Sequence, residues 1–76
     1  MNEKELRAGH VRVWDDLIQN ADNTRQGLET LAKAGVRMPN EAGADTVPAR
    51  IAAAIDAAEE YRKHRALAQQ RLDSVE

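Results

Sequence analysis

The residues of this chain that could support catalysis or metal binding are two histidines and two adjacent pairs of acidic residues. His64 follows Glu60 by four residues, so the two side chains could share one ligand on a helix. A helical di-iron site needs a Glu three residues before a His and carboxylates from facing helices, and the sequence lacks that pattern. A zinc site needs three or four ligands, and the chain has no cysteine. We therefore expect no metal and no cofactor.

The acidic pairs Asp15-Asp16 and Glu59-Glu60 do not form a general acid–base site. Neighbouring residues on a helix point about 100° apart, so neither pair converges on one substrate. No Ser is placed with a His and an acid, and no Gly-rich phosphate loop is present. We expect that the protein is not an enzyme.

One basic segment is a candidate contact for nucleic acid or another anionic ligand. The candidate residues are Arg62, Lys63, Arg65 and Arg71. Several acidic residues precede the segment, and the formal net charge is −2, whereas a strong non-specific nucleic-acid binder is usually basic. The favoured interpretation is a solvated helix face with ion pairs.

The second half of the chain carries a seven-residue repeat of apolar and small residues. Its seam positions are Val47, Ile51, Ala54, Ala58, Tyr61, Arg65, Ala68, Leu72 and Val75. This spacing predicts a long helix that packs lengthwise against another helix. Arg65 is the charged exception in the seam, and we expect it to pair with Asp15 or Asp16, because a charge is rarely buried without a partner.

Capping residues set the expected helix bounds. Asn2 can cap a first helix over about residues 3–34, and Gly35 suits the position just past its end. A loop over about 36–46 leads to a second helix over about 47–74, with Pro48 in its first turn. The sequence therefore predicts one all-α domain, residues 1–76, folded as an antiparallel two-helix hairpin. Asn and Asp within Asn20–Thr24 favour a kink there, and the sequence leaves the continuity of the first helix open.

The first helix has two apolar arcs. The first arc, which we assign to the contact with the second helix, holds Leu6, Val13, Leu17, Leu28 and Leu31. A simple hairpin would then leave the adjoining arc partly exposed, and this arc holds Val11, Trp14 and Ile18. We expect the adjoining arc to contact a second copy in a four-helix bundle, or another protein. The expected partner or oligomer interface is Val11, Trp14, Ile18, Tyr61, Arg65 and Leu72.

Size and composition favour a role in binding other proteins. A chain of 76 residues without cysteine and with few large aliphatic side chains has a small core, which predicts oligomerisation or a partner. No apolar run could span a membrane, and the charged N-terminus does not resemble a signal peptide, so we expect a cytoplasmic protein. The leading hypothesis is a non-catalytic protein-binding module, a small adaptor or inhibitor that self-associates. The alternatives are a regulator that binds nucleic acid or an anionic ligand, and a structural subunit of a larger assembly.

Overall fold

The protein is an antiparallel pair of long helices, as the sequence predicts. The computed structural model describes residues 2–37 and 45–75. Helix α1 spans Glu3–Lys33 and helix α2 spans Val47–Asp73. The two helices pack along their length into a rod of 52 × 17 × 17 Å. The all-α hairpin fold class is confirmed, whereas residues 38–44 of the predicted loop lie outside the described residues.

The helix ends are fixed by the capping residues that the sequence indicates. The Asn2 side-chain oxygen accepts a hydrogen bond from the Glu5 N–H at 2.9 Å, and the Thr46 hydroxyl accepts one from the Ala49 N–H at 3.2 Å. Gly35 has a φ of 71° just past α1. This left-handed turn lets the Val36 N–H bond the Leu31 carbonyl at 2.9 Å, which satisfies one of the free carbonyls at the helix end.

Helix α1 continues through Asn20–Thr24. Two polar side chains of this segment, those of Asp22 and Asn23, bond to other side chains. Gln19 donates to the Asn23 side chain at 2.9 Å, and Arg62 of α2 donates to Asp22 at 3.1 Å. Because these groups are engaged away from the backbone, they do not compete with the helical hydrogen bonds, and the segment stays helical.

The seam predicted for α2 is confirmed. Val47, Ala54, Ala58 and Ala68 are buried, and the other five seam positions are half-buried. The buried set of the described residues is completed by Val11 of α1, so three of its five members are alanines. Small side chains bury little area each, and the core of the hairpin is correspondingly small.

The predicted orientation of α1 is only partly correct. In the arc assigned to α2, Leu17 and Leu28 line grooves beside Ala54 of α2, but Leu6 and Val13 are 51% and 54% exposed. Val11, from the arc expected to be partly exposed, is only 7% exposed, and Trp14 of the same arc packs on α2. The two arcs are a quarter turn or more apart, and because both are apolar, apolar content alone does not select between them. The aromatic and ionic contacts described below select the Trp14 arc.

Candidate protein-contact surface

Trp14 is at the centre of an aromatic cluster between the helices. Its ring lies nearly parallel to that of His64, with the centroids 4.7 Å apart and an interplanar angle of 15°. The Tyr61 ring lies on the same indole at 5.8 Å and is tilted by 40°. Both geometries are favourable for aromatic pairs. The cluster therefore fixes the rotation of α1, because the Trp14 arc must face α2 for the rings to meet.

Ion pairs close one flank of the hairpin. Arg65 Nε lies 3.0 Å from Asp15 Oδ1, and Arg62 Nη2 lies 3.1 Å from Asp22 Oδ2. The predicted pairing of Arg65 with Asp15 is thereby confirmed within one chain. At 100° per residue, both aspartates lie about 160–180° around α1 from Val13. The charged flank and the side that carries Val13 are thus opposite sides of the rod.

The basic segment of α2 is largely engaged by the hairpin itself. Arg62 and Arg65 hold carboxylates of α1, and Lys63 Nζ lies 4.0 Å from Glu60 Oε2. The backbone carbonyl of Arg71 accepts a hydrogen bond from Arg7 Nη1 at 2.9 Å, so a cation of α1 caps the C-terminal end of α2. An anion contact by this segment stays a prediction, and three of its four cations already have anionic partners.

The flank opposite the ion pairs is apolar and open to solvent. We call it the lateral face, and its residues are Leu6, Val13, Leu17, Leu28 and Leu31. Leu6 and Val13 are each about half exposed, and Leu31 is 39% exposed, whereas Leu17 and Leu28 are half-buried. Single exposed leucines are common on protein surfaces, but a continuous apolar arc is typical of a contact surface.

Two shallow grooves show that α1 and α2 both contribute to this side. One groove, of about 280 Å³, has Leu17 and Thr24 on one wall and Ala57 on the other. The next, of about 320 Å³, continues from Thr24 to Leu28 and faces Ala53. The grooves lie between the helices and are lined mainly by small and apolar side chains. They form a surface on which another apolar helix could lie, in contrast to the enclosed pockets that bind small molecules.

Leu67 is a further exposed apolar residue, on α2, that the sequence analysis missed. It lies level with Val13 along the rod, because it follows Arg65 by two residues while Val13 precedes Asp15 by two. At 100° per residue, however, Leu67 is about 140° around α2 from the buried Ala54. It therefore faces away from α1 and is not part of the lateral face.

The six residues predicted as a partner interface are largely covered within the single chain. Val11 is buried, and the other five are half-buried: Trp14, Ile18, Tyr61, Arg65 and Leu72. A contact of these residues with a partner stays a prediction. Of the first arc, Leu17 and Leu28 border α2 as predicted, whereas the other three residues are exposed.

The described residues offer no site for a metal ion, because no three His, Asp or Glu side chains among them lie close enough to share one. Within 2–37 and 45–75, neither helix is long and apolar enough to cross a membrane. The groups with a distinct electrostatic environment are Asp45 and Arg50 at the start of α2. Hydrogen bonds from Arg50, at 2.7 and 3.1 Å, hold the pKa of the Asp45 carboxyl below its ordinary value of 3.8.

Comparison with known proteins gives no relative. No protein-family profile matches the chain, and no curated protein or solved structure matches it. The functional proposal is therefore argued from the geometry of this chain.

Proposed function

We propose that the chain is a non-catalytic protein-binding module, a small helical adaptor or inhibitor that acts through protein–protein contacts. The observation that carries this proposal is the two-sided hairpin. One flank is closed by the Asp15–Arg65 and Asp22–Arg62 pairs, and the opposite flank exposes the lateral face. A rod with one charged and one apolar flank presents a definite surface to a partner.

Burial of the lateral face supplies the free energy for binding. Covering apolar surface contributes about 25 cal/mol per Å². Leu6 and Val13 each keep about half of their surface in water within the single chain. The grooves beside Leu17 and Leu28 are depressions into which side chains of a partner helix can pack.

The open shape of the grooves also supports a non-catalytic role. Catalysis requires groups held at fixed positions in a site from which water is excluded. The grooves between α1 and α2 are wide, and their walls carry mainly alanine, leucine and threonine side chains. Such a surface favours contact with another apolar surface over chemistry on a bound substrate.

The experiment is a capture assay with three versions of the chain on beads: wild type, Val13→Asp and Gln26→Asp. Both substitutions add one negative charge to an exposed position of α1, but only Val13 belongs to the lateral face. We expect the wild type and Gln26→Asp to retain the same protein from a lysate of the source organism, or a differently tagged copy of this chain. We expect Val13→Asp to lose it. If no protein is retained, or if retention is equal for all three versions, the proposal is wrong.

A further inference from the structure

We infer that the occupant of the lateral face is a second copy of this chain, docked along α1 to complete a four-helix bundle. This inference rests on the proposed function and names the partner. It differs from the sequence-based expectation of self-association through Val11, Trp14 and Ile18, because these residues contact α2 of their own chain or lie half-buried beside it.

The first argument is the area that the single chain exposes. A folded monomer of 8.4 kDa is expected to expose about 4600 Å². This chain exposes 5611 Å², an excess of about 1000 Å². A standard protein interface covers about 800 Å² on each partner. The excess is therefore large enough to hold one stable dimer contact.

The second argument is the weakness of the single-chain core. The buried residues among those described are two valines and three alanines, and no large side chain is fully buried. The larger apolar side chains of α1 are mostly on the lateral face. Leu6, Val13 and Leu31 can enter a core only if something outside the hairpin covers them. A second hairpin laid on this face would supply the missing layer.

The third argument is the absence of formal charge along the α1 part of the face. Positions at spacings of three or four residues run from Leu6 to Leu31, and none of them is Asp, Glu, Lys or Arg. Their polar members are His10, Asn20 and Thr24. A two-fold dimer brings the same patch of both subunits together, so a charged face would repel its own copy. An uncharged stripe does not repel its own copy. The Asn20 amide can both donate a hydrogen bond to Asn20 of the second copy and accept one from it.

The spacing of the stripe is that of a helix–helix seam. Leu6, His10, Val13, Leu17, Asn20 and Thr24 alternate by four and three residues. This pattern keeps a row of side chains facing a neighbouring helix, and one polar Asn in such a row fixes the register of the two helices. Helix α1 thus carries two seams, one turned to α2 by the Trp14 cluster and one turned outward.

The test is the solution mass of the purified chain, measured by light scattering on a sizing column from about 1 to 500 µM. Leu6→Asp and Val13→Asp each add a charge to the lateral face of α1, and Gln26→Asp is the matched control. Circular dichroism reports whether each variant keeps its helices, which we expect because Leu6 and Val13 are half exposed in the single chain.

We expect wild type and Gln26→Asp to have twice the mass of 8.4 kDa. We expect Leu6→Asp and Val13→Asp to dimerise at least about thirtyfold more weakly while remaining helical. A wild-type mass of 8.4 kDa at every concentration overturns the inference. A dimer that both substitutions leave intact overturns it as well, because the contact then lies elsewhere. In either case, capture of a different protein that depends on Val13 would leave the proposed function standing.

Discussion

Trp14 of α1 lies flat against His64 of α2, with the ring centroids 4.7 Å apart and the planes 15° from parallel. This contact determines which side of α1 is inside the hairpin. It turns Val11 and Ile18 towards α2, and it turns Leu6 and Val13 towards solvent. Both the stability of the hairpin and the position of its binding surface therefore depend on this pair, which gives the first prediction.

Replacement of Trp14 by alanine should destabilise the hairpin by about 2 kcal/mol, because Tyr61 and His64 lose the ring on which they pack. The measurement is urea unfolding followed by circular dichroism. Ile55→Ala is the control, since Ile55 is 40% exposed and is not in the heptad seam. Its effect should be smaller than about 1 kcal/mol. Equal effects of the two substitutions would show that the aromatic cluster does not hold the helices together.

The Asp15–Arg65 pair should contribute a small coupling energy. The side chains are 52% and 38% exposed, so water screens the attraction and we expect a coupling of about 0.5 kcal/mol. A double-mutant cycle with Asp15→Asn and Arg65→Gln measures it, and the coupling should decrease in about 1 M salt. The same cycle on Glu60 and Lys63, which are 4.0 Å apart, should give a value near zero. A larger coupling for the second pair would contradict the assignment of Asp15–Arg65 as the stronger contact.

Asp45 should titrate below its ordinary pKa of 3.8, chiefly because Arg50 hydrogen-bonds its carboxylate. Since the folded pKa lies below the unfolded one, this pair stabilises the fold above about pH 4. The stabilisation is lost as the pH falls through the folded pKa. Carbon-detected NMR of the Asp45 carboxyl measures the folded value, and Arg50→Gln should raise it towards 3.8. An unchanged pKa in that variant would show that Arg50 is not the cause.

Two glycines should respond in opposite ways to substitution by alanine. Gly35 has a φ of 71°, which an alanine adopts only with strain, so Gly35→Ala should destabilise the protein by about 1 kcal/mol. Gly27 is inside α1, and a Cβ built there meets nothing within 4 Å, so Gly27→Ala should stabilise by about 0.5–1 kcal/mol. Thermal unfolding compares both with wild type. A loss of stability in Gly27→Ala would indicate a neighbour outside the single chain.

The local features of this protein follow from its sequence. The ends of both helices follow from Asn2, Thr46 and Gly35, because capping depends on groups within a few residues of the helix end. The α2 seam follows from its seven-residue repeat, since only one arc of that helix continues along its whole length. These features can be predicted without knowing which residues of the other helix face them.

The face of α1 that meets α2 is decided by the tertiary structure. Helix α1 has two apolar arcs, and both satisfy the periodicity of a packed helix. The choice depends on pairs far apart in sequence: the Trp14 ring against His64, and Asp15 and Asp22 against Arg65 and Arg62. Such pairs form only once the register and rotation of both helices are set together.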